Sequence, residues 1–499
     1  MKYIIEGNNA EGSIVSVLRT DPTATAFGLH NIAPKPIAIS AILLPNAKIR
    51  YAGNTMVDPK FLGTWNMDGK KFSNSPPGAG AVGYGILVVG GNGPPGNQDL
   101  QIISNFQRSL EGDARLAGVP LNDLGNGRPL ACGRNPVNIK ANLVIMKAAR
   151  IVIVVLADDC YGEVKLIADA MGLLTQCCRF RKVEKLPRGY TQNMMLKINT
   201  KLGGTNHTLM SRLAKIPTGA PSVYQDPPAS IAWIFDKPFM LVGIDVSHGQ
   251  HASDQQSVAA VVASMDGRCS QYAANISSQV QGQEMVTALD SAMHTLLTTY
   301  KSKNNGIMPS SIIVYRDGVG EGQFSQVTTI ELNAIRGAVE LMGYTTDAVK
   351  ICIVVCQKGH HTRFVYEDVS PGNPMTYINP CPGLCIDASG GADSIASGRL
   401  NEFYLNSHAA IQGTAKPCKY TLVHDEIGFK MCELEILTYW LTYLYCRANK
   451  AVSYASPAYY AHWASKRGKT LCAAGAGSEE LQNISAVWST AVQPSMFFI

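Results

Sequence analysis

The chain has 499 residues, 46% of them apolar and 16% charged, with a formal net charge of +6. These values exclude a disordered chain and leave room for two or three domains with sizeable cores. The mild positive balance permits a polyanionic partner without demanding one, so any such partner must be argued from localised basic residues.

The thirteen cysteines are odd in number and scattered, many inside apolar runs such as 351–356. Only Cys381 and Cys385 lie close across loop residues, and no Cys/His cluster has zinc spacing. This reads as reduced thiols in a cytoplasmic or nuclear compartment. Residues 1–7 lack the apolar core of a signal peptide. No apolar run reaches the roughly 18 residues that span a bilayer. The expectation is a soluble intracellular protein.

Residues 1–72 read as a connector, with one alternating stretch (37–44) and the segment GTWNMDGKKF at 63–72. Two Gly/Pro-rich segments, SNSPPGAG at 73–80 and GGNGPPGNQ at 90–98, flank a short strand at 85–89 and read as loops. A helix over 99–112, a buried strand over 150–156 and helices over 161–171 and 192–202 follow. Alternation of this kind predicts an α/β unit with a mostly parallel sheet, spanning 73–215.

A Pro-rich linker at 216–230 opens a second unit, 216–499. Strands are predicted at 240–244, 258–265 and 272–276. A helix over 284–300 follows, with Val286, Leu289, Met293, Leu296 and Tyr300 on one face. Then come a strand at 311–315, a helix over 328–341 and a strand at 351–356. Three strands, a helix, a strand, a helix and a strand is the element order of an RNase H-type fold.

The segment IIVYRDGVGEGQF (312–324) ends an apolar strand in Arg316-Asp317 and a Gly-rich turn. A strand-end Asp alone is more often a cap or turn residue. A second strand, however, ends in Asp245, and strand C-termini are where α/β sheets build sites. Glu284 opens a predicted helix, where it reads as a dipole partner, and His462 follows two tyrosines, where it reads as core. Taken together, carboxylates with a nitrogen donor can bridge divalent cations for phosphodiester cleavage.

A basic constellation lies upstream. Tyr161 and Lys165 are four apart, and Asn193, Lys197 and Lys201 repeat at i, i+4 and i+8. Gln176 sits between these helices. Converging lysines, a phenol and amides near a helix N-terminus make a phosphate pocket. Spacing alone favours a solvated helix face.

YGEVK (161–165), TQC (175–177) and LKINTKLGG (196–204) closely resemble the MID domain of eukaryotic Argonaute proteins. VVCQKGHHTRF (354–364), FYLNSHAAIQGTAKP (403–417), LEILTYWL (434–441) and PAYYAHWASKR (457–467) resemble the family's PIWI domain. The resemblance spans roughly residues 30–499 and implies a Rossmann-like MID domain followed by an RNase H-like PIWI domain. It implies that Tyr161, Lys165, Gln176, Asn193, Lys197, Lys201, Tyr459 and Arg467 hold the 5′ phosphate of a guide RNA, with Tyr161 stacking on its first base. It implies that Lys358, His361, Arg363, His408, Gln412, Lys416 and Lys450 contact the guide backbone. Asp245, Glu284, Asp317 and His462 match the catalytic, metal-holding set, with Mg²⁺ or Mn²⁺ as cofactor. The implied partners are a small guide RNA, a complementary target RNA and silencing-complex proteins, with no membrane.

The chain departs from the family pattern in places. The loop Ala157-Asp158-Asp159-Cys160 is shorter and more acidic, which should weaken anion binding beside it. Lys416 and Lys450 stand where arginine is common and lose the bidentate fork. No N-terminal or PAZ domain is expected within the sequence. His360-His361 resembles a ligand pair, but adjacent strand side chains face apart, which argues against a joint zinc site. Three readings stay open: a guide-directed endoribonuclease, a guide carrier that does not cut, and an unrelated RNase H-like nuclease.

Overall fold

The computed structural model describes residues 18, 20–28, 38–78, 80–91, 95–209, 229–249, 256–368, 376–387, 401–489 and 495–499. The predicted Pro-rich linker lies outside these except at 229–230. No helix among the described residues is long and apolar enough to cross a membrane, and all thirteen cysteines are free.

The first unit is built on a parallel sheet ordered Leu121–Asp123, Val82–Val89, Ile151–Leu156, Thr175–Arg179, with Leu130–Cys132 also paired to Val82–Val89. Its middle strand reads IVIVVL and is buried at all six positions, as a parallel strand covered on both faces requires. Ile151, Ile153 and Val155 pack with Ile103, Phe106 and Leu110 of helix Asn97–Leu116 and with Met194 and Ile198 of helix Tyr190–Lys201. Val152, Val154 and Leu156 face the other way, against helices Pro136–Ile145 and Tyr161–Ala170. The predicted elements are present, several longer than expected; the strand at 85–89, for example, begins at Val82.

The second unit holds a nine-stranded mixed sheet. Its order is Ile42–Leu43, Leu384–Asp387, Glu402–Asn406, Cys418–Asp425, Lys350–Gln357, Ser311–Asp317, Phe239–Ser247, Gln256–Ser264, Tyr272–Val280. The edge strand Ile42–Leu43 comes from the connector and pairs antiparallel with Leu384–Asp387. At the centre, Phe239–Ser247 and Ser311–Asp317 run parallel with Ile244 opposite Arg316. That register carries the next residues, Asp245 and Asp317, to the same C-terminal edge of the sheet.

Helices Leu289–Lys303 and Leu332–Leu341 cover one face of this sheet through Met293, Leu296, Leu297, Ile335 and Val339. Helices Ser456–Ala473 and Ser478–Ser489 cover the other. The long helix comes unusually close to the Asp245 strand. A Cβ at Gly243 would meet the Pro457 carbonyl oxygen at 2.0 Å, so only glycine admits this approach.

Two expectations need correction. The helix predicted from Glu284 begins at Leu289, and Glu284 lies in the preceding loop. There, Gln279 donates to the carbonyls of Gln283 (2.6 Å) and Met285 (3.1 Å), and Arg316 Nη2 donates to that of Glu284 (2.5 Å). Those bonds take acceptors that a helix would need. Residues 358–365 are irregular, not a strand, so strand alternation does not separate His360 from His361. Local packing does: His360 Nε2 bonds the Pro417 carbonyl at 3.0 Å, whereas His361 is exposed.

Candidate functional site

Two clusters of like charge sit on opposite sides of the long helix. The acidic one is at the shared edge of the central strands. Ligand atoms of Asp245, Asp317 and His462 lie within 4.8 Å of one another, the group among the described residues that meets a metal-ligand spacing. Asp245 is buried and Asp317 half-buried. His462 reaches them from the first turns of helix Ser456–Ala473, its Nδ1 3.6 Å from Asp245 Oδ2. Burial first, and the Asp245 carboxylate second, push the Asp317 carboxyl up to about 7. A hydrogen bond donated to Asp245 raises the His462 imidazole above its usual range against the opposing effect of burial. Two carboxylates and an imidazole, crowded and short of positive charge, fit a divalent cation.

Glu284 stands beside this group but outside it. Its Oε2 lies 2.6 Å from His248 Nε2, and its Oε1 accepts from Arg316 Nη1 at 3.2 Å. Arg316, fully buried, also grips Glu331 through Nε at 3.0 and 3.1 Å and bonds the Asp317 carbonyl. Sequence reasoning missed Arg316 and Glu331 as site residues. The signal was there: an arginine beside a strand-end acid must find a carboxylate if the strand is buried.

The basic cluster lies where the two units meet. Lys165 and Lys201 are 1% and 2% exposed, so neither belongs to a solvated helix face. Lys165 Nζ donates to Thr175 O (2.9 Å) and Oγ1 (2.6 Å), and Lys201 Nζ to Thr175 O (3.0 Å) and Gln176 Oε1 (3.1 Å). Burial, then the neighbouring Lys165, Arg467 and Lys197, hold Lys201 well below the usual lysine range. Burial and Arg447 bring Lys197 down to about 8. Asn193 is exposed on the same helix.

Arg467 enters from the second unit. Its Nη1 pairs with the buried Asp169 at 2.8 Å, and its Nη2 donates to the Tyr161 hydroxyl at 3.0 Å. The Tyr161 ring lies 5.8 Å from both Lys165 and Arg467, so the phenol is part of the cation cluster. Tyr459 is placed elsewhere, stacked on Tyr445 (4.7 Å) on the side of the helix that carries His462. Asp169 and Arg447 join this pocket and were not singled out from the sequence, and Thr175, quoted there only within TQC, supplies the acceptors for both lysines.

The remaining predicted residues lie in the irregular segments that follow strands Lys350–Gln357 and Glu402–Asn406, and at position 450. Lys358 bonds Ser453 and lies 5.0 Å from the Tyr454 ring. His408 is brought down to about 4 by burial and by Lys358 and Lys450. Arg363 donates to the carbonyls of His360 and Thr362. His361, Gln412 and Lys416 are exposed, and Lys450 is half-buried. In the acidic loop, Asp158 turns back to accept from Gly91 N at 2.9 Å.

Comparison with known proteins agrees with this geometry. The Piwi domain family matches residues 151–473. Argonaute 5 of Arabidopsis thaliana is 32% identical over 487 residues, 93% of this chain and 46% of that protein. Argonaute 12 of rice is 30% identical over 92% of this chain and 44% of its own length. The chain thus spans less than half the length of these curated relatives.

Among solved structures, the C-terminal lobe of a budding yeast Argonaute superposes with a TM-score of 0.77 at 23% identity, covering 92% of this chain and 95% of that one. Kluyveromyces polysporus Argonaute, solved with a guide RNA, gives 0.79 at 22% identity, covering 98% of this chain and 60% of that one. At such identities the likeness speaks for the fold: a parallel-sheet MID unit followed by an RNase H-like PIWI unit. The chain belongs to the Argonaute family and spans its C-terminal MID–PIWI lobe.

Proposed function

We propose that the chain seats the 5′ phosphate of a small guide RNA in the basic pocket and cuts an RNA paired to that guide at the acid cluster. On this reading residues 1–72 are the connector, 73–215 the MID domain and 216–499 the PIWI domain. The observation that carries the reading is the uncompensated charge of the pocket. Lys165, Lys201 and Arg467 are buried beside the half-buried Lys197, and among the described residues Asp169 is the one carboxylate they bond.

An ammonium has three N–H groups, and Lys165 and Lys201 each spend two on the protein. Each retains one for a phosphate oxygen, and Lys197, Gln176 and Arg467 complete the ring. A terminal phosphate brings the charge this site lacks, where a 5′ hydroxyl does not. Tyr161 presents its ring beside the phosphate for the first base, and Lys358, His361, Arg363, His408, Gln412, Lys416 and Lys450 line the path of the backbone. The guide RNA held by the Kluyveromyces polysporus relative supports this assignment.

At the acid cluster Asp245, Asp317 and His462 would hold Mg²⁺ or Mn²⁺. When bound, the ion supplies Lewis-acid polarisation of the phosphoryl oxygens and a more acidic water. The chain's own part is to bring two carboxylates to one sheet edge and aim His462 at them. Glu284 joins as a fourth ligand if it leaves His248 and Arg316. The expected products carry a 3′ hydroxyl and a 5′ phosphate.

The test is a cleavage assay with a 5′-phosphorylated guide and a matched RNA. Cutting with Mg²⁺, none with chelator and none in Asp317→Ala is the expected result; cutting that survives Asp317→Ala overturns the site assignment. The second reading, a guide carrier that acts through recruited proteins, is favoured by one observation: Glu284 is tied down outside the cluster. Phosphate-dependent guide binding without cutting in either Mg²⁺ or Mn²⁺ would select it.

A further inference from the structure

The acid cluster has an attachment that its metal-ligand chemistry does not require. Ser465 lies three residues beyond His462, on the same face of the long helix, and is fully buried. Its Oγ donates to Asp245 Oδ2 at 2.5 Å, the same oxygen that His462 Nδ1 approaches at 3.6 Å. Ser247, at the end of the Asp245 strand, lies 2.9 Å from Ser465 Oγ. One residue further, the His248 carbonyl accepts from Lys469 Nζ, one turn along the helix from Ser465.

A serine in a helix commonly donates back to a carbonyl of the preceding turn, and the His462 carbonyl is available at 3.0 Å. The hydroxyl has one proton, however, and the Asp245 oxygen, at 2.5 Å against 3.0 Å for the carbonyl, is the closer acceptor. With that proton on Asp245, Ser247 becomes the donor to Ser465. The result is a directed chain from Ser247 through Ser465 to Asp245 Oδ2. It braces one oxygen of the carboxylate and leaves Oδ1 near the Gly318 turn.

We infer that Ser465, backed by Ser247, is a positioning residue: it orients Asp245 so that the cluster can hold a divalent cation. The inference rests on the metal-dependent reading of the cluster and adds to it which residues set metal affinity. Hydrogen-bonding partners of metal ligands commonly control affinity by about ten- to a hundredfold. Serine-to-alanine changes here remove a hydroxyl without touching a ligand or the basic pocket.

The experiment is Mn²⁺ binding to the full chain without RNA, followed by the spin-resonance signal of free Mn²⁺, with Asp317→Ala as control. Ser465→Ala is expected to weaken binding about tenfold and Ser247→Ala about threefold. In single-turnover cleavage both variants should need more metal but reach a near wild-type rate at saturation, with guide affinity unchanged. A merely structural serine would lower the melting temperature and leave the metal dependence alone.

A folded Ser465→Ala with wild-type Mn²⁺ affinity overturns the inference. Should Ser465→Ala fail to fold, Ser247→Ala at its half-buried site decides, and unchanged Mn²⁺ binding there overturns it equally. Wild-type protein with no Asp317-dependent Mn²⁺ binding removes the metal reading itself, a failure distinguishable from the first.

Discussion

The basic pocket and the acid cluster solve the same problem with opposite charge. In each, the fold forces like charges together and away from water, which pushes Asp317 up and Lys197 and Lys201 down from their ordinary ranges. The difference lies in how they are braced. Lys165 and Lys201 are tied to one short segment, Thr175 and Gln176, within one unit, and Arg467, Arg447 and Ser495 reach the pocket from the other. The acids depend on three separate pieces: two parallel strands in register and a helix seated against Gly243. Both regions store repulsion that a ligand of opposite charge relieves, but the acid cluster is the more easily misaligned.

The largest effect should come from breaking the acid side alone. Asp317→Ala is expected to lower single-turnover cleavage by about a thousandfold or more, since several kcal/mol of transition-state stabilisation pass through such a site. It should leave the affinity for a 5′-phosphorylated guide unchanged. Removing a buried like charge should also raise the melting temperature of the metal-free protein, by a stability–function trade-off. Unchanged cleavage, or loss of guide binding, would show that the two regions do not act separately.

The mirror change is Lys201→Met, which replaces a buried cation of the pocket with an apolar chain of similar length. Loss of a charge-assisted hydrogen bond predicts about a ten- to hundredfold weaker hold on a 5′-phosphorylated guide. A 5′-hydroxyl guide should bind as before. The unliganded protein should melt no lower than wild type, because a poorly paired buried charge is gone. Competition binding with the two guides and a thermal melt check both halves.

How far each region could be read in advance follows from this difference in bracing. Strand ends are visible in a linear pattern, so Asp245 and Asp317 stood out where apolar runs stopped, and the parallel pairing of Ile244 with Arg316 then makes them neighbours. The Lys197/Lys201 stripe was visible too, but its burial was not. Spacing pointed to solvent because the covering surface, including Trp488 and residues 495–499, lies almost three hundred residues away in sequence. Periodicity within a helix says nothing about partners that arrive from another unit. Glu284 failed for a local reason: the pattern read as a helix start, while long-range bonds from Arg316 and Gln279 keep the segment a loop. Ser465 carried no signal, since a small polar residue between Ala464 and Lys466 looks like any other helix position.

The pH dependence of guide capture sharpens the contrast further. Lys197 is at about 8 in the unliganded protein, because burial and Arg447 disfavour its charge. A phosphate favours the charged form, so capture above that pH must take up a proton. The sign is fixed: affinity for the 5′-phosphorylated guide falls as pH rises through about 8, with Lys197 contributing up to about tenfold per unit. A 5′-hydroxyl guide should show little of this slope, and Lys197→Arg should abolish it. A guide affinity that strengthens between pH 8 and 9 would contradict the placement of Lys197 in the pocket.

The smallest effect tests the acidic loop, where sequence and structure point in different directions. Two carboxylates ahead of helix Tyr161–Ala170 ought to repel a phosphate at its N-terminus. Asp158, however, is turned to the Gly91 amide, so its charge is already engaged on the far side of the loop. Asp159 is exposed, where water and salt screen it. Asp159→Asn should therefore tighten guide binding only about twofold at low salt, and not at all near 0.5 M salt, the behaviour of an exposed charge. Asp158→Asn should do no better, because it weakens the bond that holds the loop back. A tenfold gain from either change would mean that the loop closes over the phosphate when guide binds, bringing both acids nearer to it than the unliganded fold places them.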